Sequence, residues 1–347
     1  MATVIDSPPG RGECMAQGIL EAYRSEIEGG LARALQGDAP LRPLLRYHIG
    51  LEDEHGMPTR ATGKLLRPSV VLFVAEQLGA SLQAALPSAL GIELIHSFSL
   101  IHDDIQDRDR LRRGRPAVWT ICGIEQAINA GDLLHALAIA IALESPPPAA
   151  GCLIQATQEM IEGQCRDLEF ERRRASAVDY LEMVDRKTGA LLRCAFELGG
   201  VAAGVNGQVR SALTGLGRAV GRAFQIQDDL LGIWGEDDVL GKATGSDIRR
   251  RKKTLPVVLL FEQAEGEDGA VLERLYDGET APETGIDESD VAWVVERLDG
   301  LDVRRRCEAM VQGHLGEATG CLRELPFSVD ARSQMEALID FLARREK

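Results

Sequence analysis

Two acidic groups, each at the end of an apolar run, are the residues of this chain best suited to do chemistry. Asp103, Asp104 and Asp107 form the first group, and Asp228 and Asp229 form the second. A helix turns by about 100° per residue, so the first three aspartates fall within one roughly 100° arc. Two such faces set against each other would make an oxygen-lined cage for hard cations. Because Mg²⁺ prefers carboxylates, waters and phosphate oxygens, the pattern predicts a diphosphate substrate held through metal ions.

A solvated acidic helix end is the alternative interpretation of the first group. It is disfavoured because acids near a helix C-terminus oppose the helix dipole and repel one another, so they need compensation by metal or arginine. An EF-hand is excluded, since the segment lacks alternating acidic positions with the required glycine. Ser99, His96 and Ile92 precede Asp103 by four, seven and eleven residues and so lie on the same face of the helix. The face next to the carboxylates is therefore predicted to carry a small residue, an imidazole and an aliphatic side chain.

An arginine cluster follows the first acidic group directly. Guanidinium groups suit bidentate recognition of phosphate, and Gly114 and Pro116 break the helix so that neighbouring arginines can point in different directions. A surface ion-pair network with the aspartates is the alternative. The cluster comprises Arg108, Arg110, Arg112, Arg113 and Arg115.

The second acidic group has one carboxylate fewer than the first. Gln225, Asp228 and Asp229 share a 100° arc, but Gly232 stands where the first group has Asp107. The downstream Gly241 and Lys242 do not form a nucleotide P-loop, because the glycine spacing is wrong and no Ser or Thr follows the lysine.

Composition limits the class of protein. The 347 residues are 45% hydrophobic and 27% charged, which is typical of a globular protein. A formal charge of −15 disfavours nucleic-acid binding. Seven scattered cysteines, none in a C-x-x-C pair, and no visible signal peptide favour a cytoplasmic protein. The longest apolar stretch, 133–143, is too short to span a bilayer, so we expect a soluble protein.

Helical periodicity dominates the chain, whereas sustained alternation is hard to find, so the predicted fold class is all-α. We expect one large helical domain over residues 16–347 after a disordered segment 1–15. The predicted helices cover residues 89–105, 131–143, 152–170, 180–198, 209–233, 255–264 and 291–301, with a further one towards the C-terminus.

Six motifs in fixed order resemble the trans-isoprenyl diphosphate synthase (polyprenyl synthetase) family, from about Gly63 to Pro256. They are GKLLRP, LIHSFSLIHDDIQD, RRGRP, GQCRDLEF, KTG, and FQIQDDLLGIWG followed by GKATGSDIRRRKKTLP. The resemblance implies a helical bundle around a central cavity and a homodimer. It also implies Mg²⁺, three ions per site with substrate bound, and head-to-tail condensation of isopentenyl diphosphate with an allylic diphosphate.

The same resemblance implies roles for individual residues. Asp103, Asp107 and Asp228 are similar to the principal Mg²⁺ ligands, with Asp104, Asp229 and Asp247 in supporting places. The implied allylic diphosphate site comprises Arg112, Lys187, Lys242 and Lys252. The implied isopentenyl diphosphate site comprises Lys64, Arg67, His96 and Arg113. Lys187, Thr188 and Gln225 match catalytic positions of the family, and of these Thr188 and Gln225 match positions that face the developing cation. The basic tail Arg344, Arg345 and Lys347 matches a segment that closes over the substrate in some relatives.

Product length rests on Phe98 and Ser99. Relatives often place a bulky chain-length gate at the position of Phe98, which implies a short-chain synthase of the geranylgeranyl type, with farnesyl diphosphate next. On a straight helix, however, Ser99 lies nearer the carboxylate face, so Phe98 would gate from the side or need a kink.

Two other functions remain as alternatives. A terpene cyclase of the same fold is disfavoured because the second acidic group does not supply the usual Asn/Asp-x-x-Ser/Thr-x-x-x-Glu metal motif. A non-catalytic regulatory subunit of a prenyl synthase would typically have lost the first acidic group, which this chain retains.

Overall fold

Helices make up nearly all of the regular structure, which confirms the all-α prediction. The structure is a computed structural model that describes residues 11–235, 245–276 and 285–344. A short hairpin of β1 (Leu111–Arg112) and β2 (Arg115–Pro116) is the exception among these residues. The helices are α1 (Arg11–Ala22), α2 (Arg24–Ala34), α3 (Arg42–Ile49), α4 (Leu66–Gln77), α5 (Leu82–Gln106), α6 (Val118–Cys122), α7 (Ile124–Ala142), α8 (Ala149–Arg172), α9 (Ala177–Lys187), α10 (Gly189–Ala202), α11 (Gly207–Trp234), α12 (Ser246–Arg249), α13 (Leu255–Gln263), α14 (Gly266–Tyr276), α15 (Glu288–Gly300), α16 (Val303–Glu324) and α17 (Val329–Arg344).

The chain divides into two compact units. The first contains the residues up to Thr157 together with Cys194–Thr214 and Leu325–Leu338. The second contains Gln158–Arg193, Gly215–Glu324 and the residues from Ile339 onwards. The expected boundary at residue 15 falls inside α1, which already begins at Arg11. The prediction of one domain over residues 16–347 remains a prediction.

Helix α5 is the centre of the first unit. It begins after Ser81, whose Oγ accepts a 3.3 Å hydrogen bond from the backbone N–H of Ala84 and so caps the helix. Its aliphatic residues Ile92, Leu94 and Ile95 are fully buried, and the helix packs against α4 and α7. A Cβ at Gly91 would lie 3.2 Å from the carbonyl oxygen of Ala138, so the glycine allows α7 to approach closely. This packing fixes the position of the acidic end of α5.

Among the described residues, α5 is also the one helix long and apolar enough to cross a membrane by length and composition alone. However, 67% of its most apolar window is buried inside the structure, and the buried core helix of a globular protein passes the same test.

The core of the second unit is formed by α9, α11, α13, α14, α15 and α16, together with the end of α8, Ile248 of α12 and Ala343 of α17. Its largest helix, α11, buries Ile226 and Ile233 completely. A Cβ at Gly221 would lie 2.9 Å from the Cα of Gly189, so α11 and the start of α10 meet through two glycines. The backbone of α11 is thereby held next to the junction of α9 and α10.

The helices differ from those expected in several places. Helices α1 to α4 precede the first predicted helix, α7 begins at Ile124 rather than at residue 131, and two further differences have a clear physical reason. The apolar pattern predicted one helix over 180–198, but α9 ends at Lys187 and α10 begins at Gly189, with Thr188 between them. The apolar periodicity continues through this break because both helices bury residues near it, Met183 and Val184 before it and Ala190 and Leu191 after it. No helix was predicted between residues 264 and 291, where the sequence is acidic, but the structure contains α14 there, with Leu272, Leu275 and Tyr276 buried.

Candidate active site

Asp103 and Asp107 lie one helical turn apart at the end of α5, in the first unit. Asp107 is the C-cap residue of the helix, and its backbone N–H donates a 2.8 Å hydrogen bond to the carbonyl oxygen of Asp103. Asp103 is partly exposed and Asp107 is exposed. Two of the three carboxylates that the pattern placed in one arc therefore line the solvent side of this helix end.

Asp104 lies on the other side of the arc and is buried, with 1% of its surface exposed. Arg112 donates to Asp104 Oδ1 through Nε at 2.9 Å and also through Nη2. Burial raises the pKa of Asp104, and the hydrogen bond from Arg112 offsets part of that effect. Among the described residues, Asp104 Oδ2 has no hydrogen-bond partner although it is buried. This geometry favours a role for Asp104 in holding Arg112 beside the acidic face over direct metal binding.

The hairpin explains how neighbouring arginines diverge. Arg113 and Gly114 form its turn with φ values of 52° and 73°, the positive values that a type I′ turn requires. Arg112 pairs in register with Arg115, whose guanidinium donates to the Tyr47 carbonyl oxygen at 2.9 Å. The break that Gly114 and Pro116 predicted is therefore a tight turn between two short strands.

Gly63 brings the first basic motif against this hairpin. Its φ is 73°, and a Cβ there would lie 2.9 Å from Cζ of Arg113. The carbonyl oxygen of Gly63 accepts hydrogen bonds of 3.2 Å from both terminal nitrogens of Arg24. Arg113 thus lies close to the loop that carries the exposed Lys64, so the structure brings together two residues of the expected isopentenyl diphosphate site.

Glu93 is a buried charged group that the sequence analysis missed. It lies on α5, 4% exposed, where burial raises its pKa to about 7 while Arg67 and Arg113 act to lower it. Burial and the same two arginines hold the pKa of His96 well below its usual value. His96 is therefore neutral near pH 7, and burial of Glu93 opposes its ionisation more strongly than the two arginines favour it. Its position as an acidic residue within the apolar run 89–101 is the sequence feature that could have identified Glu93.

Phe98 faces α7 rather than the acidic side of α5. Its ring centroid lies 4.8 Å from that of His102 and 5.4 Å from that of His135, and the side chain is 7% exposed. Ser99 is partly exposed and its Oγ donates to the carbonyl oxygen of His96 at 2.9 Å. Phe98 therefore lies to the side of the carboxylate face, and its role as a gate stays a prediction.

Asp229, in the second unit, is the centre of a buried hydrogen-bond network. It accepts from the Tyr180 hydroxyl at 2.5 Å, the Leu255 N–H at 3.0 Å and Gln225 Nε2 at 3.0 Å. Its side chain is 3% exposed, and burial raises its pKa to about 7 although the three donors lower it. Because the Leu255 N–H belongs to the first turn of α13, Asp229 also caps that helix. This geometry favours the supporting place that the resemblance implies for Asp229 over direct metal ligation.

The same network fixes the expected cation-facing residues. The Thr188 hydroxyl donates to Gln225 Oε1 at 2.8 Å, while the amide nitrogen of Gln225 donates to Asp229. Both ends of the Gln225 amide are therefore bonded. Thr188 reaches Gln225 because it occupies the break between α9 and α10.

Lys187, at the end of α9, pairs with Asp167 of α8. A Cβ at Gly163 would lie 2.2 Å from the backbone nitrogen of Lys187, so α8 can approach the end of α9 only with glycine at that place. This contact gives a structural reason for the glycine and the aspartate of the GQCRDLEF motif.

Asp228 is partly exposed on α11, and Gly232 lies one turn further on. A Cβ at Gly232 would fall 2.0 Å from Oδ2 of Asp247, a residue of α12.

Lys252, whose backbone N–H donates to the Asp247 carbonyl oxygen at 2.9 Å, is exposed. Lys242 lies outside the described residues, and the basic tail Arg344, Arg345 and Lys347 lies at or beyond their end.

The donor chemistry of these residues fits Mg²⁺ bound together with a diphosphate. In the described part of the chain, no group of three or more His, Cys, Asp or Glu side chains could hold a metal ion unaided. Mg²⁺ usually takes one or two carboxylates and completes its octahedron with waters and substrate phosphates. Asp103 with Asp107, and Asp228 on α11, offer such partial sets of hard oxygen ligands.

Comparison with known proteins identifies a single family. The sequence model of the polyprenyl synthetase family matches residues 55–292. A (2E,6E)-farnesyl diphosphate synthase of Mycobacterium tuberculosis is 38% identical over 315 residues, which cover 89% of this chain and 87% of that protein. A geranylgeranyl diphosphate synthase of Methanosarcina mazei is 38% identical over 264 residues, covering 71% of this chain and 82% of that protein.

Solved structures agree with this. Geranylgeranyl pyrophosphate synthetase from Pyrococcus horikoshii superposes with a TM-score of 0.86 at 35% identity, covering 97% of this chain and all of that one. Polyprenyl synthase from Caulobacter crescentus, solved with calcium and isoprenyl diphosphate, gives a TM-score of 0.84 at 29% identity, covering 98% of this chain and 100% of that one.

Proposed function

The chain belongs to the polyprenyl synthetase family, and on that premise we propose that it is a trans-prenyltransferase joining isopentenyl diphosphate head to tail onto an allylic diphosphate. The observation that carries the proposal is the acidic end of α5. There Asp103 and Asp107 lie one turn apart on the solvent side, and Asp104 holds Arg112 by an ion pair. This arrangement combines hard oxygen ligands with a bidentate phosphate donor.

We assign direct Mg²⁺ binding to Asp103, Asp107 and Asp228, with three ions per site when substrate is present. Bound Mg²⁺ neutralises the charge that builds on a departing diphosphate. Asp104 and Asp229 act through Arg112 and Gln225 respectively, because each is buried and already bonded to a protein donor.

The basic residues fall into two phosphate-binding groups. We propose that Arg112, Lys187, Lys242 and Lys252 bind the allylic diphosphate, and that Lys64, Arg67, His96 and Arg113 bind isopentenyl diphosphate. Neutral His96 suits the second group because it donates a hydrogen bond without adding charge beside Arg67 and Arg113.

The reaction proceeds by ionisation, condensation and elimination. The C–O bond of the allylic diphosphate breaks and its electron pair leaves with the diphosphate, whose charge Arg112 and Lys187 help to stabilise. The Thr188 hydroxyl oxygen and the Gln225 amide oxygen, held by their mutual hydrogen bond, face the allylic cation. The double bond of isopentenyl diphosphate attacks this cation, and the released diphosphate takes the proton lost afterwards. The aliphatic wall of α5 excludes water that would otherwise capture the cation.

The proposed product is geranylgeranyl diphosphate, with farnesyl diphosphate as the second candidate. Phe98 supports a short product because a bulky side chain, packed between His102 and His135, limits the room beside α5.

The proposed assembly is a soluble, cytoplasmic homodimer that binds neither nucleic acid nor membrane. Three isoleucines around the start of α7 are each 40–50% exposed, and a second subunit bound there would remove this aliphatic surface from water. They are Ile121 at 49%, Ile124 at 48% and Ile128 at 42%.

Product analysis tests the proposal. Purified protein is mixed with isopentenyl diphosphate, Mg²⁺ and, separately, dimethylallyl, geranyl or farnesyl diphosphate. We expect elongated prenyl diphosphates that disappear when EDTA is added. A hydrocarbon formed from geranylgeranyl diphosphate alone would identify a cyclase, and an inactive isolated chain would identify a regulatory subunit.

A further inference from the structure

The second acidic face lacks a carboxylate at Gly232, and the space of that missing side chain is already filled. An ideal Cβ on Gly232 would lie 2.0 Å from Oδ2, 2.6 Å from Cγ and 3.3 Å from Cβ of Asp247. Distances under about 3 Å are not found for real Cβ atoms, so even alanine at this position requires Asp247 to move.

The backbone keeps Asp247 in this place. The N–H of Gly245 donates to the Ile233 carbonyl oxygen at 3.1 Å, which ties the start of α12 to the end of α11. Ser246 Oγ donates to the Gly232 carbonyl oxygen at 3.4 Å. Ile248, the next residue of α12, is fully buried. These contacts fix the backbone of Asp247, so a Cβ at position 232 must be accommodated by rotating the Asp247 side chain out of the place it occupies.

The Asp247 carboxylate lies where a side chain at position 232 would begin, and position 232 corresponds to that of Asp107 in the first acidic group. Residues four apart on a helix lie on the same face one turn apart, so a side chain at position 232 would begin one turn beyond Asp228. The oxygen of Asp247 lies at that point, and the side chain is partly exposed. A carboxylate from α12 thus reaches the place where a carboxylate from α11 is absent.

We propose that Asp247 replaces the missing third acid of the second aspartate motif, and that Gly232 is required because the Asp247 carboxylate occupies its side-chain volume. The inference rests on the proposed function, since the ligand of this face is a divalent cation bound with a diphosphate. The inference predicts that the site needs one carboxylate, which either position 247 or position 232 can supply but not both at once.

Stability of the ligand-free protein tests the shared volume. Gly232→Ala should lower the midpoint of thermal unfolding, because its Cβ overlaps Asp247. Gly316→Ala, in α16 with nothing within 4 Å of its Cβ, is the matched control and should equal or exceed the wild type. Adding Asp247→Ala to Gly232→Ala should restore part of the loss. If Gly232→Ala is as stable as Gly316→Ala, the overlap does not exist and the inference is overturned.

Binding of inorganic pyrophosphate tests the shared carboxylate. Calorimetric titrations at a series of Mg²⁺ concentrations give the Mg²⁺ concentration for half-maximal pyrophosphate binding. We expect Asp247→Ala and Asp247→Asn to raise it about 10- to 100-fold, and Gly232→Asp combined with Asp247→Ala to lower it again. An unchanged value for both Asp247 variants, or no recovery in the double variant, would overturn the inference while wild-type turnover leaves the proposed function standing. A wild type that neither binds pyrophosphate with Mg²⁺ nor turns over would overturn both.

Discussion

The Tyr180 hydroxyl donates a 2.5 Å hydrogen bond to Oδ2 of Asp229, and this contact joins α9 to α11 inside the second unit. Both side chains are almost completely buried, with 4% and 3% exposed. The same carboxylate caps α13 and holds the amide of Gln225. An aspartate that the motif groups with metal ligands is therefore placed to organise the side chains around it.

Tyr180→Phe should destabilise the protein by about 1–3 kcal/mol, because it removes one donor from a buried carboxylate. Urea unfolding measures this change. Tyr276→Phe is the control: Tyr276 is also buried, but its hydroxyl has no hydrogen-bond partner among the described residues, so its removal should cost little. Equal effects of the two substitutions would show that the Asp229 contact contributes nothing specific.

Asp103→Asn and Asp104→Asn should separate a metal ligand from a positioning residue. Asp103→Asn should raise the Mg²⁺ concentration needed for turnover and leave stability nearly unchanged, since the side chain is partly exposed. Asp104→Asn should lower the free energy of unfolding by about 1–3 kcal/mol and raise KM for the allylic diphosphate, because Arg112 loses its charged partner. Mg²⁺ titrations of turnover, together with urea unfolding, distinguish the two. A larger Mg²⁺ shift for Asp104→Asn than for Asp103→Asn would reverse these assignments.

Glu93→Gln should change how stability depends on pH. The pKa of Glu93 is raised from 4.5 to about 7 in the folded protein. Its contribution is therefore fully present below about pH 4.5 and is lost as pH rises through about 7, at a cost of up to about 3 kcal/mol. Relative to the wild type, Glu93→Gln should gain stability over that interval.

Urea unfolding of both proteins between pH 4.5 and 8 measures this difference, and taking the difference cancels other titrating groups such as the buried His48. The exposed Glu54, replaced by Gln, controls for the substitution itself. A constant difference between Glu93→Gln and the wild type would mean that Glu93 keeps an ordinary pKa.

Phe98→Ala should lengthen the product, because removing the ring opens space beside His102 and His135. Chromatography of the dephosphorylated products measures chain length. The substitution should also cost about 3–5 kcal/mol of stability, as for other buried phenylalanines. Phe327→Ala in the same unit, 6% exposed, is matched for that loss and should leave product length unchanged. An unaltered product from Phe98→Ala would remove Phe98 as the gate.

The amino-acid sequence alone determined the fold class and which residues share a helical face. The 3.6-residue period placed Asp103 with Asp107 and Gln225 with Asp228, and Gly114 with Pro116 predicted the break among the arginines. These inferences succeed because they depend on local geometry, which the order of the residues specifies.

Only the tertiary structure decided which residues of a face are covered. Asp104 and Asp229 share an arc with their exposed neighbours, yet Arg112 covers one and Tyr180 with α13 covers the other. Likewise, the sequence showed that Gly232 lacks a carboxylate but not that Asp247 fills its place. Burial and contact depend on neighbours that are distant along the chain, and no periodicity within a single helix contains that information.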